Sequence, residues 1–497
     1  MAFVQNFPFF SIILSMFSGT VCSVLPKKAA KIVNMAMISI VGIMSLCILT
    51  FVMQTGESYT FMMGHFPAPW GNEIRAGILE AGMALFFCIV MFLSIVGGTH
   101  KLDEEVTESK HSFYYVLMNL LMSSLLALIY TNDLFTAYVF VEINTIAACG
   151  LIMIRESGRT IEAAVRYMVM SLIGSAMLLL GICITYDLTG HLLMSNIHEA
   201  IEGLVAGGTY PEPLLVAIAL MCVGLAIKSA LFPFHAWLPD AYGYSTVSSA
   251  AVLSSLVSKG YIFLLIKLIY RVIGFDIFND SRIIDVLFVF GLAGMIFGSI
   301  NAIRENDIRR MIAYSSVAQI GYIYMGIGMG TEFGMIAAVF HILSHASTKS
   351  LLFIASSGLT DVSDYKRQFL PLTGAGYRHK IAGITFAVGA LSMVGVPLFA
   401  GFISKLLFAQ AAVSLSGKML PVLIVLGIST ILNAIYFIKT VIRLYTPVEN
   451  SPYRTIHMNE VKLYSFVLIM FIVLNVLLGI NSDPVVDLIS KGLMMFA

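Results

Sequence analysis

The sequence predicts an all-α polytopic membrane protein of about 14 transmembrane helices, on three observations. These are a charge-poor apolar composition, repeated apolar runs of membrane-crossing length, and loop cations gathered on one side. Hydrophobic residues make up 59% and charged residues 11% of the 497 residues, and the mean hydropathy is +0.91. Soluble domains carry roughly 25% charged residues, so water alone is not the solvent of this chain. A single soluble core of this length would split into domains, a limit that a helix bundle in lipid escapes. The formal net charge of +1 excludes a strongly basic nucleic-acid binder.

A helix needs roughly 20 apolar residues to cross a bilayer. Such runs lie near 5–24, 32–53, 76–98, 112–130, 133–154, 160–186, 212–230, 246–270, 283–303, 308–330, 333–358, 381–415, 419–442 and 463–482. Helix is required there, because backbone polar groups find no water in lipid. The first run has no basic residues before it, so it reads as a spanning helix and not a cleaved signal peptide. If Pro26–Lys31 faces the cytoplasm, alternate loops should share its basic bias. Most loop cations do fall on that side, whereas the other side carries only Arg75, Arg271, Arg282, Lys418 and Lys491. A prokaryotic plasma-membrane protein with both termini on the non-cytoplasmic side is expected. The loop 187–212 on that side contains no Lys or Arg.

Two spans carry internal prolines, Pro233 and Pro239 after Lys228, and Pro397 before Lys405. Proline removes a donor and breaks the helical ladder. Broken helices at corresponding places point to a transporter built of inverted repeats. The expected organisation is a three-helix segment 1–111, a first repeat 112–273 (spans 4–8), a second repeat 283–446 (spans 9–13), and span 14 with a short tail, 447–497. Each five-helix repeat thus holds one discontinuous helix, span 7 or span 12. The six cysteines include no C-x-x-C pair, so no disulfide framework, metal site or cluster is expected, and no cofactor.

Seven cations lie inside spans: Arg166, Lys228, Lys259, Lys267, Lys349, Lys405 and Lys439. Lys267 and Lys439 sit near span ends, where a long stem can snorkel to the surface. Arg166 lies two turns into span 6, within reach of the cytoplasmic surface or a partner. Lys259 is different, roughly 20 Å along span 8 at 1.5 Å per residue. A lysine at helix centre costs ~2.5–3.5 kcal/mol on insertion scales, so Lys228, Lys259, Lys349 and Lys405 need partners or hydrated cavities. Desolvation disfavours a charged amine, which makes such a group able to exchange a proton near neutral pH. The competing reading is static pairing that locks helices together.

Glu142 is the one acid near the middle of a span, roughly 15 Å into span 5. A buried carboxylate needs a cation, and Lys228 is the candidate. With Glu142 close, Lys228 holds its proton; with Glu142 withdrawn, it releases it. Glu80 and Asp133, near span ends, read as capping or interfacial residues. In span 11, His341, His345 and Lys349 are spaced i, i+4, i+8 and share one helical face. Histidine both accepts and donates near neutral pH, so the stripe suits a proton relay. Packing polar groups are the bland alternative; a metal site would need a third protein ligand, and the neighbouring lysine argues against one.

At these residues the sequence resembles the antiporter-like subunits shared by respiratory complex I, Mrp-type sodium/proton antiporters and membrane-bound energy-converting hydrogenases. The resemblance runs from about Asn119 to Leu407. It is carried by AIKSALFPFHAWLPDA (226–241), RENDIRRMIAYSSVAQIGY (304–322), FHILSHASTKSLLF (340–353) and VPLFAGFISK (396–405). It implies pairing of Glu142 with Lys228, a relay centre at Lys259, a link between the halves through His341 and His345, and an end at Lys405. It further implies a hydrated lateral path at the membrane midplane. Two departures concern the branch and not the carriers: Tyr242 and its successors replace a usual histidine and Ala-Pro pair, and Val141 replaces a frequent tryptophan. The chain ends shortly after span 14, so a shorter subunit type without the lateral-helix extension is expected.

No Rossmann fingerprint, P-loop, haem ligand pair or cluster motif appears in the sequence. Any energy source is therefore redox chemistry or an ion gradient in other subunits, which leaves open a place as membrane subunit of an oxidoreductase. The leading expectation is a proton-translocating antiporter-like subunit. It would work among other membrane subunits, homologous ones included, in the lipid bilayer. The alternatives are the D-type member of a Mrp sodium/proton antiporter and a non-pumping structural anchor. Sodium needs several close oxygen ligands, and a single deep carboxylate favours protons.

Overall fold

The protein, seen in a computed structural model that describes residues 3–63, 66, 71–415, 417–448 and 453–496, is a bundle of membrane helices. In chain order these are α1 (Phe7–Val24), α2 (Lys27–Thr55), α3 (Ile78–Glu105), α4 (His111–Tyr130), α5 (Leu134–Met153), α6 (Gly158–Thr189) and α7 (Pro211–Lys228). There follow α8 (Val247–Ile273), α9 (Ile283–Arg304), α10 (Ile308–Gly328) and α11 (Glu332–Asp361). The broken α12 (Lys380–Val394 and Ala400–Val413), α13 (Met419–Leu444), α14 (Lys462–Ile480) and α15 (Asp483–Met494) complete the chain. Among the described residues, 12 helices are long and apolar enough to cross a membrane, and the two halves of α12 are shorter apolar helices. The protein is a multi-pass membrane protein.

Burial orders the bundle. The apolar windows of α8 and α11 are 100% buried, whereas those of α2 and α13 are 33% and 28% buried. The outer helices turn their apolar side chains to lipid. The two central ones touch only protein, so their polar residues never meet hydrocarbon chains.

Breaks occur where the prolines stand. α7 stops at Lys228, Ala230 takes a left-handed φ of 62°, and the chain resumes in a tight turn at Phe234–Trp237 and a short helix at Leu238–Tyr244. The Ile227 carbonyl accepts from the Ala230 amide at 3.1 Å and from Trp237 Nε1 at 3.4 Å. α12 stops at Val394, before Gly395 with φ 90°, and restarts at Ala400. The apolar run 381–415 is thus two half-helices. α8 is continuous but loosened by π turns at Leu253–Val257 and Ile269–Ile273, a feature frequent at functional sites.

Two elements depart from the sequence reading. Between α2 and α3 an antiparallel pair, β1 (Tyr59–Met62) and β2 (Glu73–Ala76), aligns Tyr59 with Ala76 and Met62 with Glu73, so the fold is not wholly α. Non-helical backbone is tolerated there because the segment joins spans instead of crossing. The stretch 187–212 contains the helix Met194–Ala206, which buries Met194, Ile197 and Ile201 on one face. A single apolar stripe of 13 residues is too short for a span and packs against the surface of the bundle.

α9 and α10 pack backbone to backbone through glycines. A Cβ on Gly321 would stand 2.6 Å from the Gly291 carbonyl oxygen and 2.7 Å from the Met295 nitrogen. Neither backbone atom can yield without separating the helices. Gly321→Ala should therefore cost about 1–3 kcal/mol by overpacking, read as a lower thermal unfolding midpoint. An unchanged midpoint would mean that the two helices slide freely.

Candidate functional site

The row of polar side chains begins on α5. Asp133 caps this helix by accepting from the Thr136 amide at 2.6 Å, which fulfils its expected capping role. Just over two turns on, Glu142 Oε1 lies 3.5 Å from Lys228 Nζ at the C-terminal end of α7. The same carboxylate accepts from the Ser175 hydroxyl of α6. Lys228 donates to Thr145 Oγ1 at 2.7 Å, and Thr145 lies 3.3 Å from the Tyr261 hydroxyl of α8. Tyr261 in turn donates to Asn144 Oδ1 at 3.1 Å. A cation in the last turn of a half-helix is held by the unpaired carbonyls and the dipole there.

Lys259 follows on α8, wholly buried. Its ammonium donates back to the Ser254 carbonyl inside the first π turn and to Ser258 Oγ at 3.1 Å. Across from it on α11, Lys349 donates to the Ile312 carbonyl at 2.9 Å and to the Ser315 hydroxyl of α10. Lys259 and Lys349 both lie close enough to act electrostatically on His345. His345 is 1% exposed and neither ring nitrogen has a protein partner among the described residues. Buried polar groups of this kind are normally bonded to ordered water.

The His345 ring stacks on His341, centroids 5.9 Å apart and planes 8° from parallel. The helical i, i+4 spacing places the two rings one above the other. His341 also stacks on Tyr322, and its Nδ1 lies 2.9 Å from Ser404 Oγ on the second half of α12. The next residue, Lys405, donates to the Val394 carbonyl at 2.7 Å and to Thr430 Oγ1 at 3.0 Å. Val394 ends the first half of α12, so Lys405, like Lys228, sits at the carbonyl end of a broken helix.

All seven candidates, Glu142, Lys228, Lys259, His341, His345, Lys349 and Lys405, therefore occupy one band of the bundle. Lys259, Lys349 and Lys405 bond only to neutral oxygens, whereas Lys228 has Glu142. Oxygen lone pairs stabilise an ammonium and apolar walls the neutral amine, so these groups can exchange protons. The two ends differ from the middle: the Glu142 side chain is 27% exposed and Lys405 is half-buried.

Several side chains lie elsewhere than their spacing suggested. Lys267 does not snorkel. It is fully buried and donates to the carbonyls of Leu128 at 3.2 Å, Ile129 at 3.0 Å and Thr131, capping the end of α4. Arg271 is not a loop cation but a buried member of the second π turn, paired with Glu80. Glu80 does cap, accepting from the Gly77 amide at 3.0 Å, but this buried pair was not legible from its position near a span end. Arg166 is more than half exposed and links Glu162 to Asp240 at the surface. Lys439 is exposed, as snorkelling requires. The hydroxyls of Thr145, Ser175, Tyr261, Ser315 and Ser404 went unnoticed in the sequence. Only Thr145, three residues after Glu142 and so on its face, carried a signal.

Comparison with known proteins gives the family of the chain. Residues 131–432 match the family model described as NADH:quinone oxidoreductase/Mrp antiporter, TM. NADH-quinone oxidoreductase subunit N of Desulforudis audaxviator is 32% identical over 390 residues, covering 78% of this chain and 76% of that protein. The structure is similar to a chain of the membrane-bound sulfane sulfur reductase, an archaeal respiratory membrane complex, with TM-score 0.87 and 26% identity over 99% of this chain and 97% of that one. A chain of the Mrp complex from Dietzia sp. shares the fold at TM-score 0.87 and 21% identity, over 99% and 97% of the two chains. With its buried Glu, Lys and His groups, the chain belongs to the NADH:quinone oxidoreductase/Mrp antiporter transmembrane family, as an antiporter-like subunit.

Proposed function

We propose that this chain conducts protons across the membrane as one subunit of a larger complex. Protons pass along Glu142, Lys228, Lys259, Lys349, His345, His341 and Lys405, driven by redox chemistry or an ion gradient in other subunits. The observation that carries the reading is the run of amines and imidazoles without counter-ions. Static pairing would match a buried cation with a carboxylate, as Glu80 matches Arg271, or with a helix end, as Lys267 caps α4. Lys259, Lys349 and Lys405 have only neutral oxygens and stand within electrostatic reach of His341 or His345.

In this reading the chain crosses the membrane 14 times: the 12 long apolar helices, α10, and α12 counted as one broken span. The first repeat, 112–273, and the second, 283–446, are inverted relative to each other. Support comes from Lys228 and Lys405, each at the carbonyl end of a half-helix that enters from the opposite face. The segments 1–111 and 447–497 flank the repeats, and both termini lie on the non-cytoplasmic side of a prokaryotic plasma membrane. Glu142 and Lys405, the less buried ends, face neighbouring membrane subunits of the same complex.

The test is Lys405→Ala in the assembled complex, with proton movement followed by a pH-sensitive dye in vesicles. Transport should fall by about 10²-fold or more, as when a positioned proton-transfer group is lost, with assembly intact. Unchanged transport would favour a structural anchor. The second reading, Mrp-type sodium/proton antiport, draws on the Mrp antiporters that the matched family model also covers. It predicts that transport in the same vesicles requires sodium.

A further inference from the structure

Where α3 and α11 end and α8 and α10 begin, on the face that gathers the loop cations, a cavity of about 900 Å3 opens into the bundle. Six cations line it: Lys101, Arg155, Arg159, Arg309, Lys366 and Arg367. Their charge is unevenly compensated. Lys101 is neutralised at one end, 2.6 Å from both Asp361 and Glu104. At the other end five cations face two carboxylates, both already engaged. Glu105 is shared between Arg155 at 3.7 Å and Arg309 at 3.8 Å, and also accepts from the Val247 amide at 2.9 Å. Asp307 caps α10 through the amides of Arg309 and Arg310.

The remaining groups find no carboxylate within ion-pair distance among the described residues. Arg159 lies over the Tyr244 ring at 5.5 Å, and Arg367 donates to the Gly243 carbonyl at 2.8 Å. Arg309 is 2% exposed, and its Nε has no hydrogen-bond partner among the described residues. Its Nη2 donates to the Ser245 carbonyl at 2.6 Å, and the charges of Arg367 and Arg155 press on it, answered in part by Glu105 and Asp307. Guanidinium groups crowd together in this way when an anion with several oxygens sits among them. Their planar fork matches phosphate with two parallel bonds.

We propose that this cavity is a phosphate-binding site, taking the phosphate of an anionic phospholipid or a free phosphate anion. Basic pockets between helices at this kind of membrane face suit anionic head groups. The bound phosphate offsets a positive mouth that would otherwise repel protons and metal cations approaching from that side.

The test uses the whole complex, stripped of lipid in neutral detergent. Its thermal unfolding midpoint is measured with phosphatidylglycerol micelles, with phosphatidylcholine micelles, and with inorganic phosphate against chloride at equal ionic strength. The expected result is a rise with phosphatidylglycerol or phosphate, but not with phosphatidylcholine or chloride. A rise with inorganic phosphate alone assigns the free anion; a rise with phosphatidylglycerol alone assigns the lipid. In R159Q/K366Q, which changes two exposed side chains and so folds, the apparent affinity for that probe should fall about tenfold. Equal midpoints in all four conditions would overturn the proposal. So would an R159Q/K366Q complex that responds as the unaltered one does, or a cross-link showing the cavity filled by an acidic segment of another subunit.

Discussion

Lys228→Ala should abolish proton transport in the assembled complex while leaving the complex intact. Lys228 is the one amine of the row with a carboxylate partner, 3.5 Å away, and its side chain is wholly buried. Its bond to Thr145 and the contact of Thr145 with Tyr261 make it the link between α5 and α8. Alanine removes both the proton carrier and the charge that answers Glu142. The expected loss is about 10²–10⁴-fold, the range for a positioned proton-transfer group. Glu142 then stands without its cation, but it keeps the Ser175 hydroxyl and can take up a proton instead of resting charged, so assembly should survive. Glu142→Gln should lower the rate as well, because it removes the first carrier of the path and the charge that holds the proton on Lys228. Dye-followed transport in vesicles, normalised to assembled complex, measures both. Equal rates in Lys228→Ala and the unaltered complex would remove Lys228 from the path.

Glu80→Gln should instead damage stability and spare transport. Glu80 and Arg271 are 1% and 2% exposed and pair directly at the end of α8. The Arg271 guanidinium also lies 4.2 Å from the centre of the Phe496 ring. Taking away the carboxylate strands a guanidinium in a dry site, a cost of about 3–5 kcal/mol. Replacing both partners by apolar or neutral groups is far milder, because no charge is left unpaired. The double variant Glu80→Gln/Arg271→Met should therefore recover most of the lost thermal stability. Transport per assembled complex should stay near the unaltered value in both, since neither residue touches the row from Glu142 to Lys405. A double variant no more stable than the single one would show that the ion pair is not the source of the loss.

The contrast between these two pairs explains how much could be read in advance. Glu142 and Lys228 stood out because each is alone amid apolar residues, and in lipid a lone charge is expensive enough to demand a partner. Glu80 and Arg271 were hidden because both lie near span ends, where charge is ordinary. Arg271 is buried in the second π turn, at the end of α8. Lys267 misled for the same reason: near a span end a lysine can reach either the headgroups or a neighbouring helix end, and the carbonyls of α4 were the closer acceptors.

The amino-acid sequence by itself determined that the chain lives in a membrane, where its helices lie, and where α7 and α12 break. Those follow from hydropathy over roughly 20 residues and from proline, both local properties. It also named the ionisable groups that cannot rest in lipid. Tertiary structure alone decided which of them meet. It brought Lys259 of α8 within electrostatic reach of His345 and Lys349 on α11, placed Ser404 beside His341, and crowded the arginines of three separate segments around one cavity. Contact between helices far apart in the chain depends on how their faces pack, and no periodicity within a single helix records the rotation of its neighbour.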